Sequence, residues 1–304
     1  TETKARELEH RSPVSGKPLV RATEENYYFR LSAYQDALER LFDERPEFVQ
    51  PLARRNEVLG RLREGLQDVP ISRTNFRWGV PMPDDEEHVI YVWIDALLNY
   101  VTALGLGDGE GEWYETRHRY WPADVQVIGK EILWFHAVIW PAMLMALELP
   151  LPGRVHAHSF WVAEGQKMSK SLGNFIDLEA LDGYLASYGL DALRWYLLTQ
   201  GPIGAQDADF RAEHFHEVYG TDLVNTVGNS CSRVTAMITK YFDGAIPSET
   251  PEGAAEPLRI ADHDWPALTA AAVEAAEAAM ERFDPAAAAQ EGLALVRRVD
   301  AFIN

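Results

Sequence analysis

The sequence predicts an α/β protein with a doubly wound parallel sheet in its first part and an α-helical second part. Three observations predict it. Two segments pass from a β-branched and aromatic run into helical periodicity: HVIYVWIDALLNYVTALG at 88–105, and DVQVIG followed by KEILWFHAVIWPAMLMA at 124–146. A third strand candidate, RVHAHSFWV at 154–162, follows them. Strand–helix–strand–helix–strand is the order that parallel strands with right-handed crossovers require. From about residue 176 the strand signal stops and helical spacing takes over.

The other elements read as follows. Residues 1–22 hold Pro13, Gly16 and Pro18 and read as a loop or a small strand pair. Residues 24–47 place apolar side chains at helical spacing, and Pro46 ends the pattern. Residues 53–66 read as a second helix. After residue 176, DLEALDGYLASYGLDALRWYLLTQ and HFHEVYGTDLVNTVGNSCSRVTAMITKYF are helical. Residues 243–259 are rich in Pro and Gly and read as a linker. Residues 265–303 form an Ala-rich helical pair broken near Asp284–Pro285.

Composition narrows the class. The 304 residues are 47% hydrophobic and 25% charged, enough for a sizeable core. No apolar run of about 18 residues exists, so no membrane helix is expected. The polar start TETKARELEHR is not a signal peptide. The single cysteine, Cys231, leaves no disulfide framework and no Cys-rich zinc site, and fits a reducing, cytoplasmic compartment. A packed helix position is expected for it. The net charge of −19 is the opposite of a nucleic-acid footprint. Yet residues 1–75 hold 13 basic and 13 acidic side chains, so the excess lies wholly in 76–304. A polyanion responds to the local field rather than to this sum.

The segment EGQKMSKSLGNF, 164–175, places Lys167 and Lys170 three residues apart among Ser169, Ser171, Gly173 and Asn174. Such ammonium groups suit a polyphosphate on which charge develops, and the small residues let the backbone approach and move. By spacing alone the same loop reads first as a solvated basic loop. Out of context, aromatics such as Trp93 read first as core residues, and Asn229 with Arg233, at i and i+4, as a surface hydrogen bond.

The string Lys167-Met168-Ser169-Lys170-Ser171 matches the KMSKS signature of class I aminoacyl-tRNA synthetases. It is joined, in order, by EENYYFRLSAYQD (24–36), RRNEVL (54–59), VIYVWIDAL (89–97), WPADVQVIGKEI (121–132), FHAVIWPAML (135–144), KMSKSLGNFID (167–177) and DLVNTVGNSCSRV (222–234). Together these segments resemble the methionyl-tRNA synthetase family over nearly the whole chain.

The resemblance implies the second half of a Rossmann-like parallel sheet followed by an anticodon-binding helical bundle. Its implied domains are 1–87 as the end of an insertion with connecting helices, 88–176 as the C-terminal catalytic half, and 177–304 as the helical domain. It implies ATP, carried with Mg2+, as a substrate, methionine and tRNA(Met) as the others, and no metal site in this chain. A methionine cage falls on Trp93, Tyr100, Phe135, His136 and Trp140. Soft sulfur suits aromatic rings, and a hydroxyl or imidazole tip can check it. A strand-to-helix change between Trp93 and Tyr100 is expected to bring them together.

ATP binding falls on Gly129, Glu131, His158, Trp161, Ser169 and Lys170. Glu131 stands where the family has a ribose-binding aspartate, and Ser159 where it has glycine. Lys167 and Lys170 are the implied catalytic pair, stabilising the departing pyrophosphate. Asn229 and Arg233 are the implied anticodon readers.

The family's His-Ile-Gly-His signature is absent from these residues, so a missing first half, supplied as a separate polypeptide or as the rest of a longer enzyme, is expected. The alternatives are a tRNA-binding or partner-binding remnant without catalysis, and an adenylating relative in hydrazine-type biosynthesis.

Overall fold

The computed structural model describes residues 11–12, 17–19, 23–106, 110–169, 173–246, 259–260 and 263–303. The chain divides into two compact units, Thr1–His156 and Ala157–Asn304.

In the first unit, strand Val49–Gln50 runs parallel to strand Arg154–His158, with Val49 opposite Val155 and Gln50 opposite His156. Strand Val125–Gly129 lies on the other side of Arg154–His158. Helix Gln35–Glu44 buries Leu38, Leu41 and Phe42, spaced i, i+3 and i+4. Helix Leu52–Leu62 buries Val58 and Leu62. Phe42 meets Phe48 edge to face at 6.0 Å.

Three expectations are corrected here. The 24–47 helix is shorter than its periodicity: Tyr28–Phe29 is a strand paired antiparallel to Val69–Pro70, Leu31–Tyr34 is a 3₁₀ turn, and the α-helix starts at Gln35. The run at 88–93 is not a strand of the parallel sheet. Strand Asp85–Ile90 pairs antiparallel with Ser72–Arg73 and Pro81–Met82. The parallel partner of 154–158 is instead the two-residue strand Val49–Gln50, too short to carry a pattern of its own. Polar ties hold the antiparallel sheet to the preceding chain. Tyr27 N–H donates to Ser72 Oγ at 2.8 Å, Ser72 Oγ meets His88 Nδ1 at 2.9 Å, and Tyr27 O–H donates to Asp85 at 2.9 Å.

In the second unit, the candidate strand 154–162 proves to be two. Trp161–Ala163 belongs to a separate sheet, antiparallel to Gln166–Lys167 and parallel to Ala208–Phe210. The strand at 208–210 lies where only helices were expected; three residues are too few for an alternation to show. Ala192, Leu193, Tyr196, Phe210 and Phe215 form the buried cluster of this unit. Asp177 caps helix Leu178–Tyr188 by accepting from Ala180 N–H at 2.9 Å. Gly189, at φ +84°, joins it to helix Leu190–Gln200.

The Ala-rich pair forms as its periodicity predicts: Trp265–Glu281 and Pro285–Phe302. Asp284 caps the latter through Ala287 N–H, with Pro285 at the first position, where its missing N–H costs nothing. Most of the 243–259 linker lies outside the described residues. Among the described residues, no helix is long and apolar enough to cross a membrane.

Candidate active site

Helix Val92–Thr102 carries both Trp93 and Tyr100. Seven residues apart, they share one face. The expected strand-to-helix change is not needed, because the strand has ended at Ile90 and Tyr91 is the extended N-cap. Trp93 stacks on Phe135 with ring centroids 4.0 Å apart and planes 16° apart. The Tyr100 ring lies 5.7 Å from His136 and 5.9 Å from Trp140. The structure thus brings all five cage residues together within one unit.

The protonation of the cage follows from its partners. His136 Nδ1 is 3.1 Å from the Ile132 carbonyl. A carbonyl only accepts, so Nδ1 carries the hydrogen and the neutral ring offers Nε2 as an acceptor. Tyr100 O–H donates to it at 3.0 Å. Burial lowers the His136 pKa, opposed in part by the Ile132 bond, and burial raises that of Tyr100. Both groups are therefore neutral near pH 7, and the cage presents rings with one uncharged polar tip.

The backbone that aims these groups is irregular. Phe135–Ile139 is a π-helical turn running into helix Trp140–Ala146. Pro141 has no N–H for the Ala137 carbonyl, and the helix widens just before it. Such turns recur at functional sites. His136 through Leu144 is buried almost without a break, so no hydrophilic face disclosed the helix's orientation in the sequence. Trp121, which opens the 121–132 motif but has no site role in the sequence reading, backs the cage. Its ring meets Trp140 at 5.9 Å and its Nε1–H donates to Pro150 O at 2.9 Å.

Gly129 ends strand Val125–Gly129 at an ordinary φ of −72°. A Cβ there would lie 2.5 Å from a carboxylate oxygen of Glu131, a flexible side-chain end that can move aside. Glu131 is exposed in the 3₁₀ turn Lys130–Ile132.

In the second unit, Glu164 (φ +52°) and Gly165 (φ +71°) form the two-residue turn of a hairpin in which Gln166 opposes Ala163 and Lys167 opposes Val162. Two positive φ values match the right-handed twist of the strands. Lys167 is exposed on the returning strand. Asn174 closes the loop: its Oδ1 accepts from Ser169 N–H at 2.9 Å and its Nδ2–H donates to Lys167 O at 3.2 Å. An amide that donates and accepts at once is the signal that could have singled it out. Lys170 lies outside the described residues. Met168 turns inward against the aromatic cluster. The half-buried Trp161 stacks on Tyr196 at 5.9 Å, so its side chain is structural and only its backbone remains for a ligand. His158 Nδ1 donates to Ser159 O at 2.7 Å, and the buried Ser159 donates its N–H to Pro202 O.

Asn229 is exposed at the start of helix Asn229–Phe242, directly after the π-helical stretch Tyr219–Gly228. Arg233 lies one turn on, its guanidinium bonded to Asp300 and to Ile303 O, each at 2.9 Å. Cys231 between them is exposed, not packed as expected; the buried position of that turn is its neighbour Ser230.

Residues 2–235 match the family described as tRNA synthetases class I (M). The methionine–tRNA ligase of Halalkalibacterium halodurans is 46% identical over 295 residues, covering 97% of this chain and 43% of the relative. That of Streptomyces coelicolor is 47% identical over 272 residues, covering 90% and 48%. The solved Mycobacterium tuberculosis methionyl-tRNA synthetase in complex with methionyl-adenylate superposes with a TM-score of 0.78 at 39% identity, over 94% of this chain and 54% of that one. The chain thus spans about half the length of the relatives it matches.

Proposed function

The chain belongs to the class I tRNA synthetases (M), and from that membership we propose that it takes part in activating methionine with ATP and transferring it to tRNA(Met) in the cytoplasm. The observation that carries this reading is the neutral cage of Trp93, Tyr100, Phe135, His136 and Trp140. A charged pocket would favour a charged side chain. Stacked rings with one uncharged hydroxyl–imidazole pair suit a thioether.

In this reading the methionine carboxylate attacks the α-phosphorus of ATP and pyrophosphate leaves. Gly129 gives the nucleotide room and Glu131 reaches its ribose. Lys167 and Lys170 steady the charge that builds on the departing pyrophosphate, while Ser169 donates to a phosphate oxygen. His158 and the Trp161 backbone flank the adenine. Mg2+ travels with ATP as part of the substrate. Asn229 and Arg233 read anticodon bases. Residues of the amino-group side come from polypeptide that carries the family's histidine signature.

The test is ATP–pyrophosphate exchange, measured on the chain alone and after adding a polypeptide with that signature. Exchange that requires methionine supports the reading. Exchange that needs no amino acid, or needs a different amine, overturns it. Exchange by the chain alone overturns the need for the second polypeptide. Lys170→Ala is expected to slow adenylation by at least ~10²-fold with methionine binding little changed.

A further inference from the structure

Arg233 and Asp300 meet between two helices of the second unit. Arg233 lies on helix Asn229–Phe242, and Asp300 lies in the last turn of helix Pro285–Phe302. One terminal nitrogen of the guanidinium donates to Asp300 Oδ1 at 2.9 Å, and the other donates to Ile303 O at 2.9 Å. Ile303 follows the last residue of that helix, where carbonyls have no partner within the helix and a cation is favoured.

Two bonds from two different nitrogens fix the plane of the guanidinium, where one ion pair would let it swing. A tether between helices needs only the ion pair. The second bond, to a backbone carbonyl, sets an angle. Arginine has five N–H donors, and these contacts use two of them. The side chains of Arg233 and Asp300 remain 29% and 25% accessible, so the fork is held without being sealed. Asn229 stands one turn earlier on the same face of the helix.

We propose that Asp300 is a positioning residue for base reading. It sets the plane of the Arg233 guanidinium before any RNA arrives, so that the remaining N–H groups meet the acceptor atoms of one unpaired base. The inference rests on the anticodon reading above. The acceptors of a base edge lie in one plane, and a guanidinium pairs with two of them only when it is close to coplanar. An unheld arginine must be ordered at binding and can turn to meet a wrong base or a phosphate. A held one cannot follow, so a wrong base is left unpaired.

The experiment is equilibrium binding of the full chain to tRNA(Met) and to the same tRNA with its anticodon bases replaced, read as the ratio of the two affinities. Asp300→Ala is expected to narrow that ratio about 5- to 100-fold. Asp300→Asn keeps an oxygen in place and should keep most of the ratio. Asp300→Glu keeps the charge but moves it by a methylene, and should lose the ratio. These two variants carry the test if Asp300→Ala does not fold. In the Arg233→Ala background, Asp300→Ala should narrow the ratio no further. Equal losses for both tRNAs would make the pair a helix tether alone. That result, an unchanged ratio, independent losses in the double variant, or retention by Asp300→Glu with loss in Asp300→Asn would each overturn the inference and leave the anticodon reading standing. An unsubstituted chain that binds both tRNAs equally, or neither, would instead remove the anticodon reading, and the inference with it.

Discussion

Tyr100 donates its hydroxyl hydrogen to His136 Nε2 at 3.0 Å, while His136 Nδ1 is committed to the Ile132 carbonyl. The carbonyl sets the tautomer, the tautomer sets the direction of the tyrosine bond, and the pair gives the ring cage its one polar tip.

Tyr100→Phe removes the donor and leaves Nε2 facing rings. The expected cost is about 1 kcal/mol of folding stability by denaturant titration, at the modest end because Tyr100 is 37% exposed. In methionine-dependent exchange, KM for methionine should rise while kcat holds. A fall in kcat with unchanged KM would place the hydroxyl in the chemical step instead.

Acidification should destabilise the cage. Burial holds the folded His136 pKa below the ordinary 6.5, which the unfolded chain recovers. Between the two values the unfolded state binds the extra proton, so stability is full above about 6.5 and is lost as pH falls toward the folded value. Thermal midpoints of the chain and of His136→Gln should therefore converge between pH 7.5 and 5. A constant difference across that range would contradict the assignment.

Asn174→Ala frees both ends of the loop it closes, at Ser169 N–H and Lys167 O. Exchange kcat should fall about 10-fold with methionine affinity unchanged, since the cage is untouched. Asn174→Asp keeps the acceptor and loses the donor, so an intermediate value is expected. Full activity in Asn174→Ala would show that the loop needs no such closure.

Asp222 is buried and accepts from Trp195 Nε1–H and from Arg297, each at 3.0 Å. Asp222→Ala strands both donors and should destabilise the second unit by about 1–3 kcal/mol. Hydrogen exchange should accelerate in Leu190–Gln200 and Pro285–Phe302 together. Acceleration in only one of them would mean that the carboxylate does not tie the two helices.

Local arrangement was legible where short-range spacing carries it. The aromatic segments 93–100 and 135–140 and the Asp284–Pro285 helix start depend on residues close in sequence, and each was visible as a string. What escaped was pairing at a distance. Arg233 reads as an exposed partner of Asn229, yet its guanidinium is held by Asp300, 67 residues away. Asn174 and Trp121 act through backbone carbonyls, which no side-chain pattern displays.

By itself the sequence determined the helices with a strong apolar period and the family to which the motifs belong. Only the tertiary structure decided which strands pair. The run that opens at His88 carries the same β-branched and aromatic signal as a parallel strand, but its strand part belongs to Asp85–Ile90, whose backbone groups are taken in antiparallel ladders by Ser72–Arg73 and Pro81–Met82. Strand signal reports burial and side-chain shape, whereas pairing is a contest for backbone hydrogen bonds among segments far apart in the chain. That contest left Val49–Gln50 beside Arg154–His158, and it set Trp93 and Tyr100 on a single helix facing the π turn that completes the cage.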